Sequence, residues 1–211
     1  NGTTTDDPLN FVDLKAFGNN NFCKELDDLS LVLDWIEVSN ELKEEVDASK
    51  ISLFGHSRGG GIAMLKTAED NRLDKVVSWA SPSDFLSKIP SNEKCATWKV
   101  KGVAYIYNGR TKQNMPMYFQ FYENCKANAK RLNIQDAVSK MSIPHLVVHG
   151  SDDPTVLINE ANSLKSWNTN VNLHIIKGAN HVLGGFHPYD LEEFPKDLKE
   201  AIDITLVFLK R

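Results

Sequence analysis

The stretch ISLFGHSRGGGIAM, residues 51–64, joins an apolar run to a cluster of glycines and polar residues. Residues 50–54 predict a buried strand, and residues 59–68 predict the helix that follows it. The segment GHSRG between them, residues 55–59, matches the pattern G-x-S-x-G, which is informative where a strand precedes it and a helix follows. Side chains two residues before and two residues after the serine are expected to clash at so sharp a turn, so the pattern requires glycine at both ends.

This motif predicts that Ser57 lies at the apex of the turn with its hydroxyl projecting above the sheet. The N-terminus of the following helix directs the positive end of its dipole at the same place. The backbone N–H of Arg58 is then positioned to donate to a developing oxyanion. The alternative is a tight turn whose small residues serve packing alone. Because a serine hydroxyl needs a base to become a good nucleophile, the choice depends on finding that base and its acid elsewhere.

Helical patterns alternate along the chain with short β-branched runs, which favours a mostly parallel sheet covered by helices. Apolar residues at spacings of three and four predict one helix over residues 26–36 and an amphipathic helix over residues 198–209. Residues 1–22, rich in Asn, Thr and Asp, are predicted to be loop. The remaining predicted elements are strands at residues 75–80, 143–149 and 171–176 and a helix at residues 155–167.

Candidates for the acid and the base follow the last two of these strands. Asp152 and Asp153 come just after the strand at residues 143–149, and His181 follows the strand at residues 171–176. Ligand sites in open α/β sheets lie at the carboxyl ends of the strands, which is also where Ser57 is expected. The order serine, acid, histidine is the one found with this strand–turn–helix motif. The sequence therefore favours a displayed nucleophile over a packing turn.

Other residues compete for the same roles. Asp84, which follows the strand at residues 75–80, and Asp152 are alternative acids, and His187 is the alternative base because it shares a loop with His181. His56 is expected to orient or pack rather than to react. The histidines within predicted strands are interpreted as core residues: His145, His149 and His174.

A long interruption, residues 84–142, separates the second and third predicted strands. An insertion of this length in a compact α/β unit is typical of a cap over a site. Asn108-Gly109 predicts the type I′ turn of a β-hairpin, and residues 124–140 predict a helix. The aromatic residues of the insertion are candidates for a substrate-binding pocket or for packing of the hairpin, and those selected for binding are Tyr105, Tyr107 and Tyr118.

Composition sets outer limits on these interpretations. A chain of 211 residues fits one domain, here residues 1–211, and a net charge of −4 with mixed signs does not suggest a nucleic-acid surface. The longest apolar runs, such as residues 202–209, are too short to span a bilayer. The three widely spaced cysteines suggest reduced thiols, which slightly favours the cytoplasm, and no zinc site.

The chain resembles the α/β-hydrolases, and among them the dienelactone-hydrolase-like and serine-aminopeptidase-like esterases. Three segments carry the resemblance: LFGHSRGG (53–60), PHLVVHGSDDPTV (144–156) and GANH (178–181). The family pattern G-x-x-D-x-x-V selects Asp153 as the acid, and G-x-x-H selects His181 as the base. The resemblance implies an α/β-hydrolase fold with a cap insertion and a Ser-His-Asp triad that cleaves small-molecule carboxylic esters through an acyl-enzyme. It implies no metal and no organic cofactor.

Two alternatives to ester hydrolysis stay open at this point. The same triad could serve a peptidase or amidase, and a hydrolase scaffold could serve a non-catalytic binding protein. The resemblance runs from about residue 10 to residue 211 and gives no counterpart for the strands before the elbow strand or for the second oxyanion-hole donor. We therefore expect low activity from these residues alone, or complementation by a missing N-terminal segment or a homo-oligomer partner.

Overall fold

The computed structural model describes residues 2–91 and 93–211. Its helices and strands follow this order along the chain: α1 (Leu14–Gly18), α2 (Phe22–Val38), β1 (Ile51–His56), α3 (Arg58–Glu69), β2 (Leu73–Trp79), α4 (Glu93–Lys101), β3 (Val103–Asn108), β4 (Gln113–Tyr118), α5 (Gln120–Ala127), α6 (Ile134–Lys140), β5 (His145–Gly150), α7 (Ile158–Trp167), β6 (Val171–Ile176) and α8 (Lys196–Leu209). Among these described residues, no helix is both long enough and apolar enough to cross a membrane.

The sheet that carries the predicted site is parallel. Within the described ranges, its four strands lie in the order β1-β2-β5-β6, and each neighbouring pair is parallel. The register places His56 beside Trp79 and Trp79 beside Val148. The carboxyl ends of the strands therefore lie at one edge, as the sequence predicts, and the expected α/β class is confirmed.

Helices cover both faces of this sheet. On one face, Val77 and Val148 pack in a buried cluster with Ala201 and Phe208 of α8. On the other face, Val76 packs in a cluster with Ala63 of α3. Neighbouring residues of a strand point to opposite faces, so β2 is apolar on both sides and forms the buried centre of the sheet.

The described residues fall into two compact units. The larger consists of Leu29–Phe85 and Asn133–Arg211 and contains the parallel sheet. The smaller consists of the segment that ends at Asp28 together with Leu86–Leu132, and it contains the antiparallel pair β3–β4. The predicted insertion, residues 84–142, therefore contributes to both units, with residues 84–85 and 133–142 in the larger one.

The helix predicted over residues 124–140 is wrong as a single element. The structure has α5 and α6 there, separated by residues 128–133. Asn133 begins the second helix as its N-cap, because its side-chain oxygen accepts the N–H of Asp136 at 2.9 Å. The helical pattern of residues 124–140 continues across this cap and so does not indicate it.

Two other local predictions need correction. The first 22 residues include the helix α1, which begins where the carboxylate of Asp13 accepts the N–H of Ala16 at 2.8 Å. The hairpin β3–β4 is present, but residues 109–112 form its loop, so the two-residue type I′ turn is wrong. The Asn108 side chain accepts the N–H of Arg110 at 3.0 Å, and the positive φ of 55° falls on Lys112.

Candidate active site

Ser57 lies in the sharp turn between β1 and α3, with φ of 53° and ψ of −125°. Positive φ is uncommon for a residue with a side chain, and a strained serine at such a turn is the geometry of a nucleophile elbow. The Ser57 N–H donates to the Trp79 carbonyl at 2.8 Å, and the Ser57 carbonyl accepts the N–H of Gly60 at 3.0 Å. These bonds fix the turn to β2 on one side and to α3 on the other.

The glycines around Ser57 explain how the turn fits into the core. A Cβ on Gly55 would lie 2.3 Å from the Gly59 carbonyl oxygen, so the requirement for glycine at that end of the motif is confirmed. A Cβ on Gly59 would meet nothing within 4 Å, so the requirement predicted there is wrong. A Cβ on Gly60 would lie 1.7 Å from Ser81 Oγ, and one on Gly61 would lie 2.3 Å from the ring of Phe85. Gly55, Gly60 and Gly61 thus serve packing, and the same turn displays Ser57.

A chain of hydrogen bonds links the serine to a histidine and the histidine to a carboxylate. His181 Nε2 lies 3.0 Å from Ser57 Oγ, and His181 Nδ1 lies 2.7 Å from Asp153 Oδ2. An ionised carboxylate can only accept, so Nδ1 carries the hydrogen and Nε2 is left as the acceptor for the serine hydroxyl. This arrangement can remove a proton from Ser57.

Asp153 is buried and held in its ionised form. Its Oδ1 accepts the backbone N–H groups of Thr155 at 2.8 Å and Val156 at 2.9 Å. Burial by itself would raise the pKa of this carboxyl, but the hydrogen bonds from Val156, His181 and Thr155 outweigh it and lower the pKa below its ordinary value. The carboxylate therefore carries a negative charge beside the imidazole at neutral pH.

The loops after β5 and β6 are tied together, and this brings Asp153 to His181. The Asp152 N–H donates to the Ala179 carbonyl at 3.1 Å, and the Gly178 N–H donates to Ser151 Oγ at 2.7 Å. A Cβ on Gly150 would lie 2.2 Å from the Ala179 carbonyl oxygen, so this close approach needs glycine. Residues 28 apart in sequence are therefore held in hydrogen-bonding contact.

A match to a protein-family model identifies the family of this chain. The model of BD-FAE matches residues 9–168, most of the chain. The chain belongs to the BD-FAE family. This is an esterase-associated α/β-hydrolase domain, and the matched range contains Ser57 and Asp153 and ends before His181. No curated protein shows significant sequence similarity to the chain.

Solved structures give the same fold for this BD-FAE chain. The esterase domain of a Rhodothermus marinus protein is 22% identical with a TM-score of 0.54, over 82% of this chain and 65% of that one. Est1E from Butyrivibrio proteoclasticus with bound ferulic acid is 17% identical with a TM-score of 0.66, over 91% and 70%. The monoacylglycerol lipase of Paleococcus ferrophilus is 16% identical with a TM-score of 0.63, over 91% and 77%. The similarity shows the α/β-hydrolase fold, and the chain spans just under two thirds of the first of these structures.

The structure separates the competing acids and bases in this BD-FAE chain. Asp153 is the carboxylate hydrogen-bonded to His181, whereas Asp152 is exposed and accepts the hydroxyl of Ser151 at 2.7 Å. Asp84 is exposed in the loop after β2, and His187 is exposed in the segment between β6 and α8. The three residues selected from the sequence are therefore brought together.

The remaining histidines have distinct environments. His145 and His149 are buried as expected, and burial lowers the pKa of His145 to about 3. His174 is not a core residue, because it lies half-buried at the surface with Nε2 2.8 Å from Glu200 Oε1. His56 Nε2 lies 2.8 Å from the backbone carbonyl oxygen of His181, a contact that no pattern in the sequence indicates.

The other predicted site residues are distributed over both units. Arg58 is the first residue of α3, so its backbone N–H lies at the helix N-terminus directly after Ser57. Tyr105 and Tyr107 lie on β3 and are 63% and 64% exposed. Tyr118 ends β4, and its ring would lie 2.8 Å from a Cβ on Gly18. Their part in substrate binding stays a prediction.

Proposed function

We propose that this BD-FAE chain is a serine hydrolase that cleaves carboxylic esters through an acyl-enzyme. The observation that carries the proposal is the continuous hydrogen-bonded path from Ser57 Oγ to His181 (3.0 Å) and from His181 to Asp153 (2.7 Å). Esterases and a lipase among the structural neighbours support an ester rather than an amide as the bond that is cleaved.

In the proposed reaction, Ser57 Oγ attacks the acyl carbon while His181 Nε2 takes the hydroxyl proton. The backbone N–H of Arg58, at the positive end of the α3 dipole, donates to the oxyanion that forms. His181 then gives its proton to the leaving alcohol as the tetrahedral intermediate collapses to the acyl-enzyme. Water attacks the acyl-enzyme by the same sequence in reverse and releases the acid and free Ser57.

Asp153 has a role in each half of this reaction. Its carboxylate keeps the hydrogen of His181 on Nδ1 and stabilises the imidazolium that forms when Nε2 takes the serine proton. Burial strengthens this interaction, since the side chain of Asp153 has no exposed surface and that of His181 is 17% exposed. These groups supply the proton transfers of the reaction without a further residue.

The proposal is tested with p-nitrophenyl esters of increasing acyl length and the matched p-nitroanilides, assayed with the wild type and Ser57→Ala. We expect ester turnover that falls by about 10⁴-fold or more in Ser57→Ala, because the acyl-enzyme can no longer form. Ser166→Ala is the control, because this serine is exposed near the end of α7, where its hydroxyl donates to the Ser163 carbonyl at 2.7 Å. Unchanged ester turnover in Ser57→Ala rules out the assignment, and faster cleavage of the anilides than of the esters favours an amidase.

A further inference from the structure

His56 contacts the proposed base in two ways. Its Nε2 lies 2.8 Å from the backbone carbonyl oxygen of His181. The two imidazole rings also pack against each other, with centroids 4.9 Å apart and planes inclined by 50°. Both contacts lie inside the larger unit, next to the 3.0 Å contact between His181 and Ser57.

The chemistry of the first contact fixes the state of His56. A backbone carbonyl can only accept, so the hydrogen lies on Nε2 of His56 and is donated to His181. Burial lowers the pKa of His56 below its ordinary value, so the ring is neutral at neutral pH. A neutral ring also does not repel the imidazolium that His181 forms when it takes the serine proton.

These contacts link three residues into a closed cycle that includes Ser57. His56 and Ser57 are consecutive residues, His56 donates to the main chain of His181, and the side chain of His181 returns to Ser57 Oγ. Ser57 itself is held by the elbow, whereas His181 lies on a loop beyond the end of β6. The hydrogen bond therefore fixes the position of His181 relative to His56, the residue that precedes Ser57.

Asp153 and His56 hold different parts of His181. Asp153 binds the Nδ1 edge of the imidazole and so controls its tautomer and charge. His56 binds the backbone carbonyl of His181 and so controls the position of the main chain from which the His181 imidazole extends. A misplacement of about 1 Å in a reacting group can cost roughly 10²-fold in rate, which makes the second control relevant to turnover.

We propose that His56 is a positioning residue that holds the main chain of His181 so that Nε2 lies within proton-transfer distance of Ser57 Oγ. This inference rests on the proposed serine-hydrolase function and adds a member to its site. The bond depends on a donor at the Nε2 position and not on the ring as such.

Variants of His56 that place their side-chain hydrogen-bond donor at different positions can distinguish a positioning role from simple filling of space. The side-chain amide of His56→Gln places an N–H close to where Nε2 lies, whereas that of His56→Asn ends near the Nδ1 position. His56→Leu keeps apolar bulk without a donor. We expect kcat for p-nitrophenyl acetate, normalised to titrated active sites, to fall about 10- to 100-fold in His56→Asn and His56→Leu, with KM within about threefold. We expect His56→Gln to keep at least about a third of the wild-type kcat, and the surface variant His174→Leu to match the wild type.

A spectroscopic readout keeps this test separate from the proposed function. The Nδ1–H proton of His181, assigned by its loss in His181→Ala, is followed by NMR in each variant. We expect it to be retained in His56→Gln and shifted or broadened in His56→Asn and His56→Leu. Equal kcat in all three variants and the wild type, or equal losses in all three, overturns the positioning role. If the wild type hydrolyses no ester, the proposed function fails, and an Nδ1–H resonance unchanged in His56→Leu then overturns the positioning role independently.

Discussion

The two carboxylate oxygens of Asp153 hold two separate parts of the site: Oδ2 lies 2.7 Å from Nδ1 of His181, and Oδ1 accepts the N–H of Thr155 at 2.8 Å. One side chain thus shapes its own loop and orients the imidazole of His181. The carbonyl of Val156 in the same loop lies 2.8 Å from Nε2 of the buried His149, so the loop is also bound to β5. Both carboxylate oxygens of the proposed acid therefore have hydrogen-bond partners within the protein.

Replacement of this acid is expected to reduce turnover sharply. In Asp153→Asn, the amide can donate to His181 Nδ1 and so favours the wrong imidazole tautomer, and we expect kcat to fall by about 10³- to 10⁴-fold. The matched control is Asp152→Asn, because Asp152 is exposed and its backbone bond to Ala179 is retained. We expect that variant to stay within about threefold of the wild type in ester assays, on the ground that surface substitutions usually have small effects. Equal losses in both variants contradict the assignment of Asp153.

The buried His145 is expected to make stability depend on pH. Burial lowers its pKa from 6.5 to about 3, so between those values the unfolded chain binds a proton that the native chain does not. The free energy of unfolding should therefore be highest above pH 6.5 and should decrease toward pH 3, by up to about 1.4 kcal/mol per pH unit from this group. Urea denaturation at successive pH values measures this slope.

The variant that isolates this effect is His145→Gln, which keeps a polar group near Ser78 Oγ, 2.8 Å from Nε2 in the native protein, but does not titrate. Between pH 6 and pH 4, we expect the slope of the free energy of unfolding against pH to be smaller in this variant than in the wild type. The difference should correspond to up to about one proton bound on unfolding. His174→Gln, which changes a half-exposed histidine, is the control and should keep the wild-type slope. A wild-type slope in His145→Gln shows that the proton is bound elsewhere.

Neighbouring glycines of the elbow are expected to respond differently to alanine. In Gly60→Ala the new Cβ would lie 1.7 Å from Ser81 Oγ, so we expect the free energy of unfolding to fall by about 1–3 kcal/mol. In Gly59→Ala the Cβ meets open space in a helix, and a gain of about 0.5–1 kcal/mol is expected. The double variant Gly60→Ala/Ser81→Gly should recover part of the loss. Equal effects of the two alanines on urea denaturation argue against this account of the turn.

The parts of the fold that could be predicted are those with a local cause. Residues 50–68 encode a strand, a tight turn and a helix through apolar runs and Gly55, and the last two strands end in the loops that carry Asp153 and His181. A short helix such as α1 is not predictable from composition, because one N-cap, Asp13, outweighs the loop-like composition around it. The break between α5 and α6 also depends on a single N-cap, Asn133, which begins a new helix inside a segment whose pattern is helical throughout.

The features that could not be predicted depend on contacts distant in sequence. Gly60 must be small because of Ser81, and Gly61 because of Phe85, and neither requirement is visible before β2 is placed beside β1. His56 lies 125 residues from the carbonyl to which it donates. The sequence could show that His56 stands beside the nucleophile, but only the fold brings the loop of His181 back to it.

The central claim, that His181 and Asp153 activate Ser57, is tested most directly by mass spectrometry after labelling with a fluorophosphonate. Such a probe reacts with an activated serine, and we expect a single adduct on the peptide that contains Ser57. The adduct should be absent in Ser57→Ala and should form much more slowly in His181→Ala. No adduct on the wild type, an adduct on another residue, or a labelling rate unchanged in His181→Ala would contradict the claim.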